Sequence, residues 1–183
     1  MASTTLLARS AAAEKYQPER TQILFVAESP PLSADRYFYF ENVKGHDWLW
    51  IALMKALYLS EWGCTKTERQ RKPYWLTKFQ KSGFRLVDAV KEPLSGSPQS
   101  RVVRIKASAP TLISEIRAIA PNRIVLIKKT VHDALFQQLR DVGFIVINET
   151  GLPFPATGQQ KRFHDGLRHL IQSGSLQIAP NSV

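Results

Sequence analysis

The sequence predicts an α/β fold, a three-layer α/β/α sandwich around a central four-stranded parallel sheet. Three observations carry that expectation. Ile23-Leu24-Phe25-Val26-Ala27 and Ile124-Val125-Leu126-Ile127 are apolar throughout, with β-branched and aromatic residues, the composition of strands covered by helices on both faces. Segments with helical periodicity separate the strand-like runs, and such alternation folds into a parallel sheet with right-handed crossovers. The runs stop at charged residues, Glu28-Ser29-Pro30-Pro31 and Lys128-Lys129-Thr130, which gathers chemistry at the carboxyl edge, where open α/β sheets bind ligands.

The chain has 183 residues, 44% apolar and 22% charged, which suits one globular domain rather than two. The expected division is a mobile N-terminal segment (1–20), a single domain (21–175) and a C-terminal tail (176–183). Residues 1–13 are Ser/Ala-rich with one Arg, a mobile terminus more than a targeting signal. The net charge of +10 and an isoelectric point near 9.9 make nucleic acid, or another polyanion, the first partner to consider. The single cysteine, Cys64, excludes an intrachain disulfide and cannot alone build a zinc or iron–sulfur site. Trp48 to Leu59 is interrupted by Lys55 and bounded by Asp47 and Glu61, too short an apolar run to span a bilayer. The expectation is a soluble cytoplasmic monomer, nucleoid-associated in a bacterium, with no membrane partner.

The first strand is expected from Gln22 to Ala27. Pro30 and Pro31 end it, because proline has no N–H for a ladder and disfavours helix before it. Glu28 is left at the strand's carboxyl end, either in a pocket or in a solvated loop. Tyr37-Phe38-Tyr39-Phe40 fits neither helical nor strand period, so these aromatics line a pocket or close the sheet edge as core. From His46 to about Trp62 apolar residues recur at helical spacing, with Asp47 as cap and Gly63 as stop. The basic run from Lys66 to Lys72 reads as a solvated face or a phosphate contact, and leads through Pro73 into a helix up to Ser82. Phe84 to Val90 is the second strand, with Asp88 near its end. Arg101 to Lys106 alternates like an edge segment with a basic outer face. Ser108 or Ala109 then opens a helix with Pro110 in its first turn. Arg123 to Ile127 is the third strand, Val131 to Asp141 a helix stopped by Gly143, and Phe144 to Asn148 the fourth strand. The loop from Gly151 delivers the N-terminus of an amphipathic helix with Leu167, Leu170 and Ile171 inward. Its free N–H groups and dipole, with Gln159, Gln160, Lys161 and Arg162 beside them, make an anion site or an ordinary connection.

Four strand ends thus collect Glu28, Asp88, Lys128 with Lys129, and the loop from Leu152 to Gln160. Glu28 and Asp88 are the candidate catalytic carboxylates. The four histidines (His46, His132, His164, His169) lack a metal-ligand spacing, and neither a Walker-type loop nor a Gly-x-Ser-x-Gly elbow is present. No metal and no cofactor is expected.

Residues in these places resemble the uracil-DNA glycosylase superfamily, outside its iron–sulfur branch. The resemblance lies in Ala27-Glu28-Ser29-Pro30-Pro31 with Tyr37-Phe38-Tyr39, in Leu86-Val87-Asp88-Ala89-Val90, in Val125-Leu126-Ile127-Lys128, and in Leu152-Pro153-Phe154-Pro155 to Gln160, and covers about residues 22–172 in order. It implies a glycosylase that hydrolyses the N-glycosidic bond of a flipped damaged base in DNA, uracil or another, during base excision repair. Glu28 would position water and stabilise a cationic sugar. Ala27, Ser29, Lys128 and Leu152 would surround the base, with Phe38, or Tyr39, stacked on it. Pro153, Pro155, Gly158, Gln159, Gln160, Lys161 and Arg162 would meet DNA, in or beside the minor groove. Leu152 stands where family members place His or Asn, and the lysines stand where a base-reading pair is found. A non-catalytic nucleic-acid-binding protein on the same fold is the alternative, and an unrelated nucleotide or sugar-phosphate enzyme is a third.

Overall fold

Every residue of Ile23–Ala27 (β1) is buried in the computed structural model, because the strand is the middle one of a parallel sheet with helices on both faces. The structure describes residues 2–43, 45–58 and 65–178. Among them are two further strands, Phe84–Asp88 (β2) and Arg123–Leu126 (β3), in the order β2-β1-β3. The register pairs Ala27 with Asp88 and Val26 with both Val87 and Leu126.

Among the described residues seven helices surround the sheet: Ala2–Lys15 (α1), Trp48–Leu57 (α2), Lys66–Gln70 (α3), Lys72–Lys81 (α4), Pro98–Ile119 (α5), Lys129–Asp141 (α6) and Gln160–Gln172 (α7). Strand alternation divides the core in two. Phe25, Phe84 and Val125 pack with Leu53, Phe79 and Phe163 on one face, under α2, α4 and α7. Leu24, Val26 and Ile124 pack with Ile105, Leu112 and Leu135 on the other, under α5 and α6. No helix among the described residues is long and apolar enough to cross a membrane.

The fourth strand does not form. Residues 144–148 keep one isolated bridge, Val146 to Ile124, and the edge of β3 is closed instead by the Asn148 side chain. Its Oδ1 accepts from Leu126 N (2.8 Å) and its Nδ2 donates to Leu126 O (2.9 Å), so one amide side chain stands in for a ladder rung.

The edge segment expected over Arg101–Lys106 is helical, part of α5. Ser97 caps α5 by accepting from Ser100 N (3.2 Å) and Pro98 occupies its first turn, the usual opening chemistry of a helix. Ile105, Ala109, Leu112 and Ile116 form its buried face. Pro110 therefore lies inside the helix, on the exposed side, where water can serve the carbonyl that loses its N–H partner.

The N-terminal segment, expected to be mobile, is helical and packs on the domain. Its alanines and leucines are strong helix formers, and Arg9 and Tyr16, two turns apart on α1 and just after it, are 6% and 3% exposed. Arg9 Nη2 donates to Pro31 O (2.7 Å) and Ser33 O (2.9 Å), and Tyr16 stacks on Tyr39. At the other end Leu176 is fully buried, so the domain continues past residue 175. The expected helix beyond Tyr58, with Gly63 as stop and Cys64 after it, falls outside the described residues, as do 179–183.

Asp47 is the N-cap of α2, accepting from Trp50 N (3.3 Å), and its Oδ2 also meets Lys72 Nζ at 2.7 Å. The basic run is thus not wholly a solvated face: Lys72 is buried and lies over the Trp50 ring. Removing one partner of a buried pair strands the other charge, whereas removing both does not. Asp47→Ala is expected to lower the unfolding free energy by about 3 kcal/mol or more, from the stranded charge and the lost cap. In urea denaturation the double variant D47A/K72M should regain much of that loss.

Candidate functional site

Glu28 immediately follows β1, and the ladder continues past it, with Val90 N donating to its carbonyl (3.1 Å). Its side chain is 7% exposed and accepts three hydrogen bonds. Thr130 Oγ1 donates to Oε1 (2.6 Å), while Arg101 Nη1 (2.6 Å) and Lys128 Nζ (2.5 Å) both donate to Oε2. Burial pushes the Glu28 carboxyl up, but the hydrogen bonds from Lys128 and Thr130, the Lys128 charge and the Arg101 hydrogen bond outweigh it. The carboxyl is held below its ordinary value.

Local structure explains each donor. Arg101 lies in the first turns of α5, delivered by the Ser97-Pro98 start. Thr130 is in the first turn of α6, directly after the turn that leaves β3. Lys128 makes that turn with φ 82 and ψ 137, a backbone region that costs a non-glycine residue about 1–3 kcal/mol and persists where the surroundings hold it. Those surroundings are Leu152 O, which accepts from Lys128 N (2.7 Å), and the N–H groups of Val131 and His132, which donate to Lys128 O. The Nζ of Lys128 is thereby brought over Glu28.

A cavity of about 340 Å³ opens above this cluster, at the small end of the roughly 300–1,000 Å³ of ligand pockets. It brings together Ala27, Glu28, Ser29, Phe38, Asp88 and Lys128. Ser29 is held by Leu94 N, which donates to its hydroxyl (3.2 Å). Asp88 is 7% exposed, and burial above all pushes its carboxyl up to about 7; Lys91 and Arg9 pull it down and Glu115 pushes it up. The two carboxylates thus have opposite environments.

Other expected site residues lie elsewhere. Tyr39 does not line this pocket: it is core, with its hydroxyl accepting from Leu86 N (2.7 Å) and donating to Leu86 O (3.1 Å), because a buried phenol needs partners. Leu152 does not line the pocket either. It is buried against α7, where a Cβ on Gly166 would stand 2.6 Å from its Cδ2. Lys129 is turned outward and paired with Asp133. In the last loop Pro155 is buried, and Pro153, Gly158, Gln159, Gln160, Lys161 and Arg162 lie outside the pocket lining. Lys161 pairs with Asp165 at 2.6 Å and Arg162 donates to Gln159 (3.3 Å).

Sequence reasoning missed Arg101, Thr130, Trp48 and Phe154. The Ser97-Pro98 start would have revealed α5 and with it Arg101. Thr130 had a signal in its place just past a strand end. Trp48 (41% exposed) and Phe154 (39% exposed) line the mouth of the cavity with Leu32 (78% exposed). Among large apolar residues such exposure cannot be read from sequence.

The folded value of Glu28 lies below the unfolded one, so the stability it contributes is present above the unfolded value and lost as pH falls through the folded one. Glu28→Gln leaves Arg101 and Lys128 without their counter-charge and is expected to cost about 3 kcal/mol at neutral pH. In urea denaturation the gap to the wild type should close on acidification. No protein-family model matches this chain and no curated protein matches it, so its chemistry is read from its own geometry.

Proposed function

We propose that the chain is a DNA glycosylase-like protein that hydrolyses the N-glycosidic bond of a base flipped out of DNA, uracil or another. The observation that supports this most is one cavity at the carboxyl edge of a parallel sheet that joins a held carboxylate, an aromatic wall and two cations. The flipped base enters against Phe38. Glu28, ionised at neutral pH, faces the sugar as positive charge develops there. Arg101 and Lys128 spend one N–H each on Glu28, and Arg101 Nε donates to Gly96 O (3.0 Å). Their remaining donors serve the leaving base, which departs with negative charge. The basic surface, +10 overall, draws the polyanion in, and the apolar rim of Leu32, Trp48 and Phe154 meets unstacked bases.

Two observations favour a non-catalytic nucleic-acid-binding protein as the second reading. Glu28 already accepts three hydrogen bonds, and Leu152 brings no polar group to the pocket. The readings part at base release. The wild type is expected to free a base from at least one of a panel of single-stranded and mismatched oligonucleotides carrying uracil or other damaged bases. Glu28→Gln should slow single-turnover release by about 10²–10³-fold, the cost of losing one preorganised electrostatic group, with DNA affinity little changed. Salt-dependent binding with no release across the panel would establish the second reading instead.

A further inference from the structure

Asp88 is the buried titratable group that the scheme above leaves without a task. Leu86 belongs to the core under α2, α4 and α7, and Val87 to the core under α5 and α6, so alternation puts Asp88 on the Leu86 face. That is the face of the pocket's apolar wall, Tyr37, Phe38, Leu49 and Leu86. Glu28 follows Val26 onto the opposite face and reaches the pocket at its edge, fastened to α5 and the start of α6. Asp88 therefore stands inside the cavity wall, and it also borders a second cavity of about 220 Å³ beneath α1.

Its carboxylate has no hydrogen-bond donor among the described residues. The contact made at Asp88 is Lys91 Nζ to the backbone carbonyl, at 3.3 Å. Asp88 is only 7% exposed, so its carboxylate is costly to keep charged, and its oxygens are not sealed in the core but open to the cavity. Glu28 cannot take a proton readily, because two cations on Oε2 favour its charged form. Asp88 has no cation hydrogen-bonded to its carboxylate, and burial outweighs the pull of Lys91 and Arg9 and brings its protonation to the neutral range that suits proton transfer.

We propose that Asp88 is the general base that takes the proton of the attacking water, with Glu28 acting through its charge. The proposal rests on the glycosylase reading above. The water oxygen bonds to C1′ of the sugar. The C1′–N bond breaks, and its electron pair leaves on the base. The water's proton passes to the Asp88 carboxylate, which later returns it to solvent, and the departed base anion takes up a proton from solvent. The products are an abasic sugar bearing a C1′ hydroxyl and the free base.

The charged and titratable groups facing Asp88 are Arg9 of α1, Tyr37 and Tyr39 of the loop before α2, Lys91 after β2 and Glu115 of α5. Burial raises both tyrosines, which stay neutral, and Lys91 is paired with Glu115 at 2.6 Å. His46 lines the mouth of the same cavity and is the group to separate from Asp88.

The test is single-turnover base release by the full chain from the best oligonucleotide of the panel, between about pH 5 and pH 9, where a general base near neutrality shapes the rate. The wild-type rate should rise with pH and level off above the Asp88 midpoint. Asp88→Asn should lose that rise and about 10²–10⁴-fold in rate, the range of general base catalysis, while binding the oligonucleotide normally. His46→Gln should keep the rise. Above neutral pH D88N should melt no lower than the wild type, since it removes a buried charge. Carboxyl-carbon NMR should show an aspartate that titrates with the kinetic midpoint and is missing in D88N. Release by folded D88N with the rise intact, or loss of the rise in H46Q alone, overturns the proposal and leaves the glycosylase reading standing. No release by the wild type at any pH overturns both.

Discussion

The hydrogen-bonded ion cluster around Glu28 is the interaction on which the rest of the site depends. It fastens the end of β1 to the start of α5 and to the turn from β3 into α6, three segments separated by 73 and 100 residues of sequence from Glu28 to Arg101 and to Lys128. Burying the charges is unfavourable by itself, and mutual attraction offsets that cost only when geometry and hydrogen bonds are good. Here both Glu28 oxygens are used, the donors lie at 2.5–2.6 Å, and the two cations are only about a quarter exposed. The cluster therefore specifies arrangement more than it adds stability. It accounts for Lys128 adopting a positive φ, because a left-turning residue at that point sends the chain to Leu152 and the side chain back across the sheet.

The pocket's opposite wall depends on a second set of contacts made far from the chemistry. Arg9 holds the carbonyls of Pro31 and Ser33, and Tyr39 ties its loop to β2 through both backbone groups of Leu86. The loop after β1 is thus held on one side by a helix that precedes it and on the other by the strand beside it. Phe38 is presented to the cavity because Tyr39, its neighbour, is anchored in the core with the ring at 83° to it. A site on a loop becomes as well defined as one on a strand when both flanks are tied down in this way.

The sequence was most informative where one physical requirement dominated. Apolar runs of four or five residues can only be buried strands here, and two prolines leave β1 nowhere to continue, so the position of Glu28 followed directly. It misled where two periods fit the same residues. Arg101-Val102-Val103-Arg104-Ile105-Lys106 satisfies alternation over six positions and a helical face over twenty, and only the longer window is decisive. Tyr39 and Leu152 were misplaced for a different reason. Each sits beside a true site residue or loop, and whether a side chain turns to the pocket or the core depends on a backbone direction that a motif match does not contain. The fourth strand was lost to Asn148, whose side chain satisfies Leu126 before a ladder can extend.

The register between β1 and β2 decides the character of both carboxylates. Ala27 pairs with Asp88, so Glu28 lies one residue beyond that row, and a one-residue offset in a strand puts side chains on opposite faces. On one face the nearest elements are the beginnings of α5 and α6, which supply a guanidinium, an ammonium and a hydroxyl. On the other are aromatic side chains and the inner side of α1, which supply burial without a hydrogen bond. The same functional group is consequently held charged in one place and poised to exchange a proton in the other, with no difference between them except the face of the sheet. Two carboxylates pushed apart in this way can divide charge stabilisation from proton transfer, and the division is set by strand register, before any ligand arrives.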